Sequence, residues 1–346
     1  MFIEKNLSLR GLLRFSGGHM IWLTLWSSTA LSIYHFTGWT WLAIPWLPVS
    51  LVGLAVAFFV GFKNNSAYDR MWEARKIWGA IINSSRSWGT IAKHFVSNQF
   101  SSSPASLEEL KSYHKELLYR HIAWLYALRE QLLRPTSWEH IQGPYMVRRL
   151  TKRRIANFGV GIFEQKELKD RLEEYLDREE VAKLLKFKNR ATQIIDNQSA
   201  ALQELRAKNL IDDFRHMELQ KMLTDFYTQQ GKCERIKKFP FPRQYASVSF
   251  YFVALFIVLL PFGLISEIRE LADGSLMWLT IPFTVLVGWV FLTMELVGDY
   301  SENPFEGMAN DIPMLALCRT IEIDLREMLG EEEIPEAVSP QKGILM

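Results

Sequence analysis

Four stretches almost free of Asp, Glu, Lys and Arg, two near each end of the chain, leave few folds open. They run from about Gly18 to Tyr34, Pro48 to Phe62, Val248 to Ile265 and Ser275 to Val297. Each is near the roughly 20 residues that a helix needs to cross about 30 Å of hydrocarbon, the second only if its Trp39-to-Leu47 lead-in is submerged with it. Charge is concentrated between the two pairs. The mean hydropathy of -0.02 therefore averages two solvents into a value typical of a soluble domain.

The stretches pair as two hairpins. Residues 35–47 contain no charged side chain, and Ser266 to Gly274 hold only Arg269 among basic residues. The excess of Lys and Arg on cytoplasmic loops then places both tips outside and both termini in the cytoplasm, for a multi-pass protein of the cell (inner) membrane. Several of the 12 Trp lie in or beside the spans, at the depth where an indole has one wet edge. Lys5, Arg10 and Arg14 ahead of the first apolar run imitate a secretory signal; with no convincing small-residue cleavage site and a second span following at once, the segment reads as retained.

Other classes fall away. A net charge of +2 with locally matched signs argues against a nucleic-acid partner. Cys233 and Cys318 make neither a disulfide framework nor a zinc site. HExxH, GxSxG, P-loop and GxGxxG patterns are absent and the seven His lack ligand spacing, so neither an enzyme nor a cofactor or metal is expected. No ionisable residue falls in the middle of a span, Glu295 lying near the end of the fourth, which disfavours a proton-coupled carrier.

The middle of the chain has a helical pattern. Ser106-Leu107-Glu108-Glu109 predicts a capped helix start, and Gln165 to Lys188 carries apolar residues at helical intervals among dense charge. Breaks are expected at Ser101 to Pro104, Arg134 to Trp138 and Phe239 to Arg243. The expected organisation is a first hairpin over 1–62, a helical cytoplasmic region over 63–245, a second hairpin over 246–297 and a cytoplasmic segment over 298–346.

The second span carries the functional signal. Gly53, Ala55, Ala57 and Gly61 are small residues that let helices approach closely, while Leu54, Phe58 and Phe62 recur at i, i+4 and i+8 on one face. Several copies around an axis would stack these bulky residues into hydrophobic rings, which gate by dewetting. One such helix cannot enclose a channel, so an oligomer is required. Lys63, Arg70, Glu73 and Arg75 follow where the helix should emerge into water, with Arg70 and Glu73 spaced for an ion pair.

The run from Gly61 through Lys63-Asn64-Asn65 to Trp78-Gly79 resembles the segment closing the pore helix of bacterial bestrophins. Cys233-Glu234-Arg235-Ile236 with Pro240-Phe241-Pro242 and Tyr245 resembles the family's entry to its third span, and Glu302-Asn303-Pro304-Phe305 the motif after its fourth. The fold implied is an all-α membrane protein, four transmembrane helices in two hairpins plus a helical cytoplasmic region, assembled as a homopentamer around one pore.

The resemblance puts the neck of that pore at Leu54, Phe58 and Phe62, and a cytoplasmic aperture at Phe214, with Leu210 or Glu218 one helical turn away. Animal members continue the Asn-Pro-Phe motif with an acidic, calcium-binding run; here Glu302, Glu306 and Asp311 are the nearby carboxylates, too few for a regulatory calcium site.

The expected partners are further copies of the chain, the lipid bilayer and small monovalent ions. The neck has no formal charge to choose between ions. A bacterial-type sequence favours monovalent cations; a chloride-type anion channel of the same architecture and a non-conducting scaffold docking a cytoplasmic partner are the alternatives.

Overall fold

The computed structural model describes residues 1–163, 165–271 and 275–346. Its longer helices, in chain order, are α1 (Leu9–Ser16), α2 (Gly18–Thr37), α3 (Trp46–Phe95), α4 (Leu107–Leu133), α5 (Tyr145–Phe158), α6 (Leu168–Glu173), α7 (Arg178–Leu184), α8 (Arg190–Ala207), α9 (Asp213–Lys238), α10 (Arg243–Leu271), α11 (Thr280–Asp299) and α12 (Met314–Leu329). Among the described residues, β-pairing is confined to two isolated bridges, Phe2 with Ile344 and Gln341 with Ile344.

Two compact units divide the chain. Glu4–Arg70 and Pro240–Glu302 form an apolar unit; Met1–Ile3, Met71–Phe239 and Asn303–Met346 form a polar one. Both are discontinuous because the chain leaves the first along α3, returns to it at Pro240 and leaves it again after Glu302. The 50 residues of α3, at about 1.5 Å each, amount to about 75 Å, more than twice the thickness of hydrocarbon, so length alone carries its second half out of a bilayer.

In the apolar unit, Leu23, Val49, Val56, Val60, Val253, Phe256, Ile257, Leu260 and Val285 make the core. Small residues set the approach of helices: a Cβ on Gly288 of α11 would lie 3.0 Å from Leu23 of α2, and one on Gly263 of α10 would lie 3.0 Å from the Trp46 ring. Three largely helical stretches, Thr40–Phe100, Asp213–Glu270 and Met277–Asp299, are long and apolar enough to cross a membrane. They contain the second and third expected spans and the fourth from Met277 onward. The first lies on α2, a full 20-residue helix, but its Trp, Ser, Thr and His residues dilute the hydropathy. The second hairpin tip, expected over 266–274, lies outside the described residues at 272–274, and α10 continues beyond Ile265 to Leu271.

The polar unit is a helical assembly around aromatic side chains. Trp88, Trp124 and Phe226 are fully buried, with Trp124 and Phe226 centroids 5.1 Å apart, and Trp124 Nε1 donates to Gln230 Oε1 at 3.0 Å. His121 packs among them, its ring tilted and 4.4 Å from Phe226, and complete burial pushes its pKa down to about 3, so it stays neutral. The predicted cap at Ser106 is a reciprocal box, Ser106 Oγ accepting from Glu109 N–H and Glu109 from Ser106 N–H.

The single helical pattern expected over Gln165 to Lys188 is broken. It forms α6 and α7, because Tyr175 and Leu176 turn inward to be buried and Asp177 precedes a new helix start.

Candidate pore-lining site

α3 has two chemically different faces over its first half. Val49, Val56, Val60 and Lys63 turn into the apolar unit, and a Cβ on Gly53 would lie 2.7 Å from the Phe256 ring. Gly53 is therefore a seat for α10 within the subunit, whereas nothing lies near Gly61. The small residues do not form one common contact face.

On the other side Leu54, Phe58 and Phe62 are 69%, 68% and 54% exposed, and Leu47 and Leu51 extend the same stripe. The Phe58 and Phe62 rings meet edge to face with centroids 4.6 Å apart. Only 22% of the most apolar window of this helix is buried within the subunit. A continuous strip of this kind, left bare in water, would be covered by lipid or by other copies.

The lower end of the strip is clamped. Lys63, expected at the water boundary, is instead 2% exposed, and its ammonium makes an ion pair with Glu295 Oε1 of α11. The second oxygen of that carboxylate accepts from Ser249 Oγ of α10, and Asp299 stands 3.9 Å from Lys63 Nζ. Asn64 adds a hydrogen bond from Nδ2 to Met294 O at 3.1 Å, and a side chain on Gly298 would collide with Asn64 Oδ1.

These contacts lock α3 to both α10 and α11 one residue beyond Phe62. Sequence reasoning assigned Lys63 to solvent because a lysine after an apolar run usually snorkels; the only signal was a Glu near the end of another apolar run. Glu73 likewise pairs with Arg235 rather than with Arg70 as expected.

Phe214 belongs to the polar unit. It is the second residue of α9, whose start is set by Asp212 Oδ1 accepting from Arg215 N–H at 2.8 Å, and it is 81% exposed. Of the neighbouring alternatives, Leu210 is buried and Glu218 pairs with Lys221.

The profile of the family described as Bacterial/Fungal Bestrophin protein matches residues 18–327. The chain belongs to the bestrophin family. The "Voltage-dependent anion channel-forming protein YneE" of Escherichia coli (strain K12) is 28% identical over 295 residues, 85% of this chain and 80% of that protein. A protein of the same description from Mesorhizobium japonicum, mll4386, is 26% identical over 89% of this chain and 80% of its own length. The crystal structure of a bacterial bestrophin homologue from Klebsiella pneumoniae superposes with a TM-score of 0.71 at 24% identity, covering 91% of this chain and 98% of that one.

In this bestrophin the carboxylates after the Asn-Pro-Phe motif have partners of their own. Glu306 Oε2 lies 3.0 Å from His140 Nδ1, and its other oxygen accepts from His140 N–H. Asp311 Oδ2 accepts from the backbone N–H groups of Gly307 and Met308 at 2.7 and 3.0 Å. Gly307 holds φ at +84°, a conformation costly for any residue with a Cβ.

Complete burial, with the Glu306 charge added, pushes the Asp311 carboxyl up to about 7. An unfolded-state Asp titrates near 4, so between about pH 4 and 7 the folded chain holds the extra proton and loses stability as pH rises, by on the order of 4 kcal/mol in all. Asp311→Asn keeps an acceptor for both N–H groups and cannot ionise. Its thermal midpoint, measured from pH 5 to 8, is expected to lack the wild-type decline and to exceed wild type at pH 8.

Proposed function

We propose that five copies of this chain surround a single pore that passes small anions down their electrochemical gradient, without covalent chemistry. The observation carrying this reading is the strip of Leu54, Phe58 and Phe62, exposed on α3 while the opposite face is packed and clamped to α10 and α11. Arranged about an axis, the strips give three stacked rings of a hydrophobic neck. Phe214, exposed in the first turn of α9 while Leu210 is buried, is the residue proposed for the cytoplasmic aperture.

Selectivity is where the expectation drawn from the sequence is revised. Monovalent cations were favoured there, but the relatives matched over most of their length bear the description of anion channels. An uncharged aromatic ring is compatible with this, since the edges of Phe rings carry partial positive charge. The proposed membrane arrangement is four spans, α2 included, with the polar unit and both termini on the cytoplasmic side of the inner membrane. Charge-free residues 35–47 and the dense Lys and Arg of residues 63–245 support that orientation.

Purified protein in a planar bilayer under a KCl gradient tests the reading. The reversal potential is expected close to the chloride equilibrium potential. A reversal potential near that of potassium would restore the cation channel, and an intact pentamer without current would point to the scaffold.

A further inference from the structure

Helix α5 reads Tyr-Met-Val-Arg-Arg-Leu-Thr-Lys-Arg-Arg-Ile-Ala-Asn-Phe and contains no acidic residue. At 100° per residue, Arg148, Arg149, Lys152 and Arg153 fall within one arc of about 140°, and all four are exposed. Among the described residues, none of the four makes an ion pair; Arg148 donates to the Gly143 carbonyl. Tyr145 lies in the middle of that arc, with Met146 about 20° and Leu150 about 60° beyond its edge, at 71%, 63% and 47% exposure. The buried side, around Thr151, faces the polar unit. Such a face is costly to leave in water without a purpose, since it adds self-repulsion to exposed apolar area.

The flanks of α5 are tied to the chain where it enters and leaves the membrane helices. Before α5, Glu139 pairs with Lys237, which also donates to Phe305 O, and His140 holds Glu306. After α5, Val160 N–H donates to Gly307 O at 2.8 Å. Glu306 is seven residues past the end of α11 and Lys237 six before the start of α10. At 3.3–3.6 Å per extended residue the chain cannot carry either anchor more than about 25 Å from an end of α10 or α11. A basic amphipathic helix held at that distance has the chemistry of a membrane-surface element.

We propose that α5 lies in the plane of the cytoplasmic leaflet and binds anionic phospholipid headgroups through Arg148, Arg149, Lys152 and Arg153, with Tyr145, Met146 and Leu150 against the acyl boundary. The inference rests on α10 and α11 crossing the membrane and not on which ion the pore passes.

The test uses full-length protein with a bimane label on Met146→Cys. Cys233 and Cys318 are buried, so the new thiol is the accessible one, and labelled wild type serves as the blank. Protein is reconstituted in phosphatidylcholine vesicles with and without phosphatidylglycerol, where equal leaflets make insertion direction immaterial.

Doxyl-labelled lipid is expected to quench the label when phosphatidylglycerol is present. That quenching should be lost in phosphatidylcholine alone, in high salt and in R149Q/K152Q/R153Q, and retained in R149K/R153K. A label open to aqueous iodide in both vesicle types overturns the proposal. A label shielded from both quenchers also overturns it and assigns the face to a contact between subunits. No ion flux is read, so failure of the pore reading leaves the outcome interpretable.

Discussion

Phe58→Ala is expected to raise single-channel conductance several-fold in planar bilayers, and Phe62→Ala to do the same. One substitution removes a phenyl ring from every subunit at one level of the proposed neck, which would both widen the opening and lower the cost of wetting it. The rings are more than half exposed in the subunit, so truncation leaves no internal cavity and the fold has little to lose. Phe250→Ala serves as the control, because Phe250 is equally exposed but lies on α10. Unchanged currents in both neck variants, with the oligomer intact, would remove Leu54, Phe58 and Phe62 from the pore.

The second large effect is expected at the clamp below the proposed neck. Lys63→Met strands the Glu295 carboxylate in a site where the two side chains are only 1% and 6% exposed, and should lower stability by about 3–5 kcal/mol. Glu295→Gln should cost less, because Asp299 remains 3.9 Å from the ammonium. The double variant Lys63→Met/Glu295→Met removes both charges and should recover most of the loss, since well-packed apolar groups often replace a buried pair without penalty. Thermal denaturation of the detergent-solubilised protein reads all three. Additive losses in the double variant would mean that the two charges do not depend on one another.

Much of the architecture is legible in the sequence. Charge-free runs marked the helices now seen as α2, α3, α10 and α11, since excluding charge over 15 to 20 residues leaves few alternatives to a buried or lipid-facing helix. The Ser106 cap was equally readable, because its signature is confined to four residues. The spacing of Leu54, Phe58 and Phe62 placed them on one face by helix geometry alone.

Local patterns failed wherever the answer depended on a distant segment. Lys63 read as solvated because its partner, Glu295, lies 232 residues away in the chain. Glu73 found Arg235 across 162 residues rather than Arg70 at three. Gln165 to Lys188 has the period of a helix, yet burial of Tyr175 and Leu176 was worth more than continuity of the backbone.

By itself the sequence determined that this chain is helical and partitions between two solvents, because those properties follow from local periodicity and the distribution of charge. Which face of α3 is packed and which left bare was decided only by tertiary structure. The Phe256 ring occupies the space beside Gly53, and a carboxylate from α11 draws Lys63 inward, turning the aromatic strip outward.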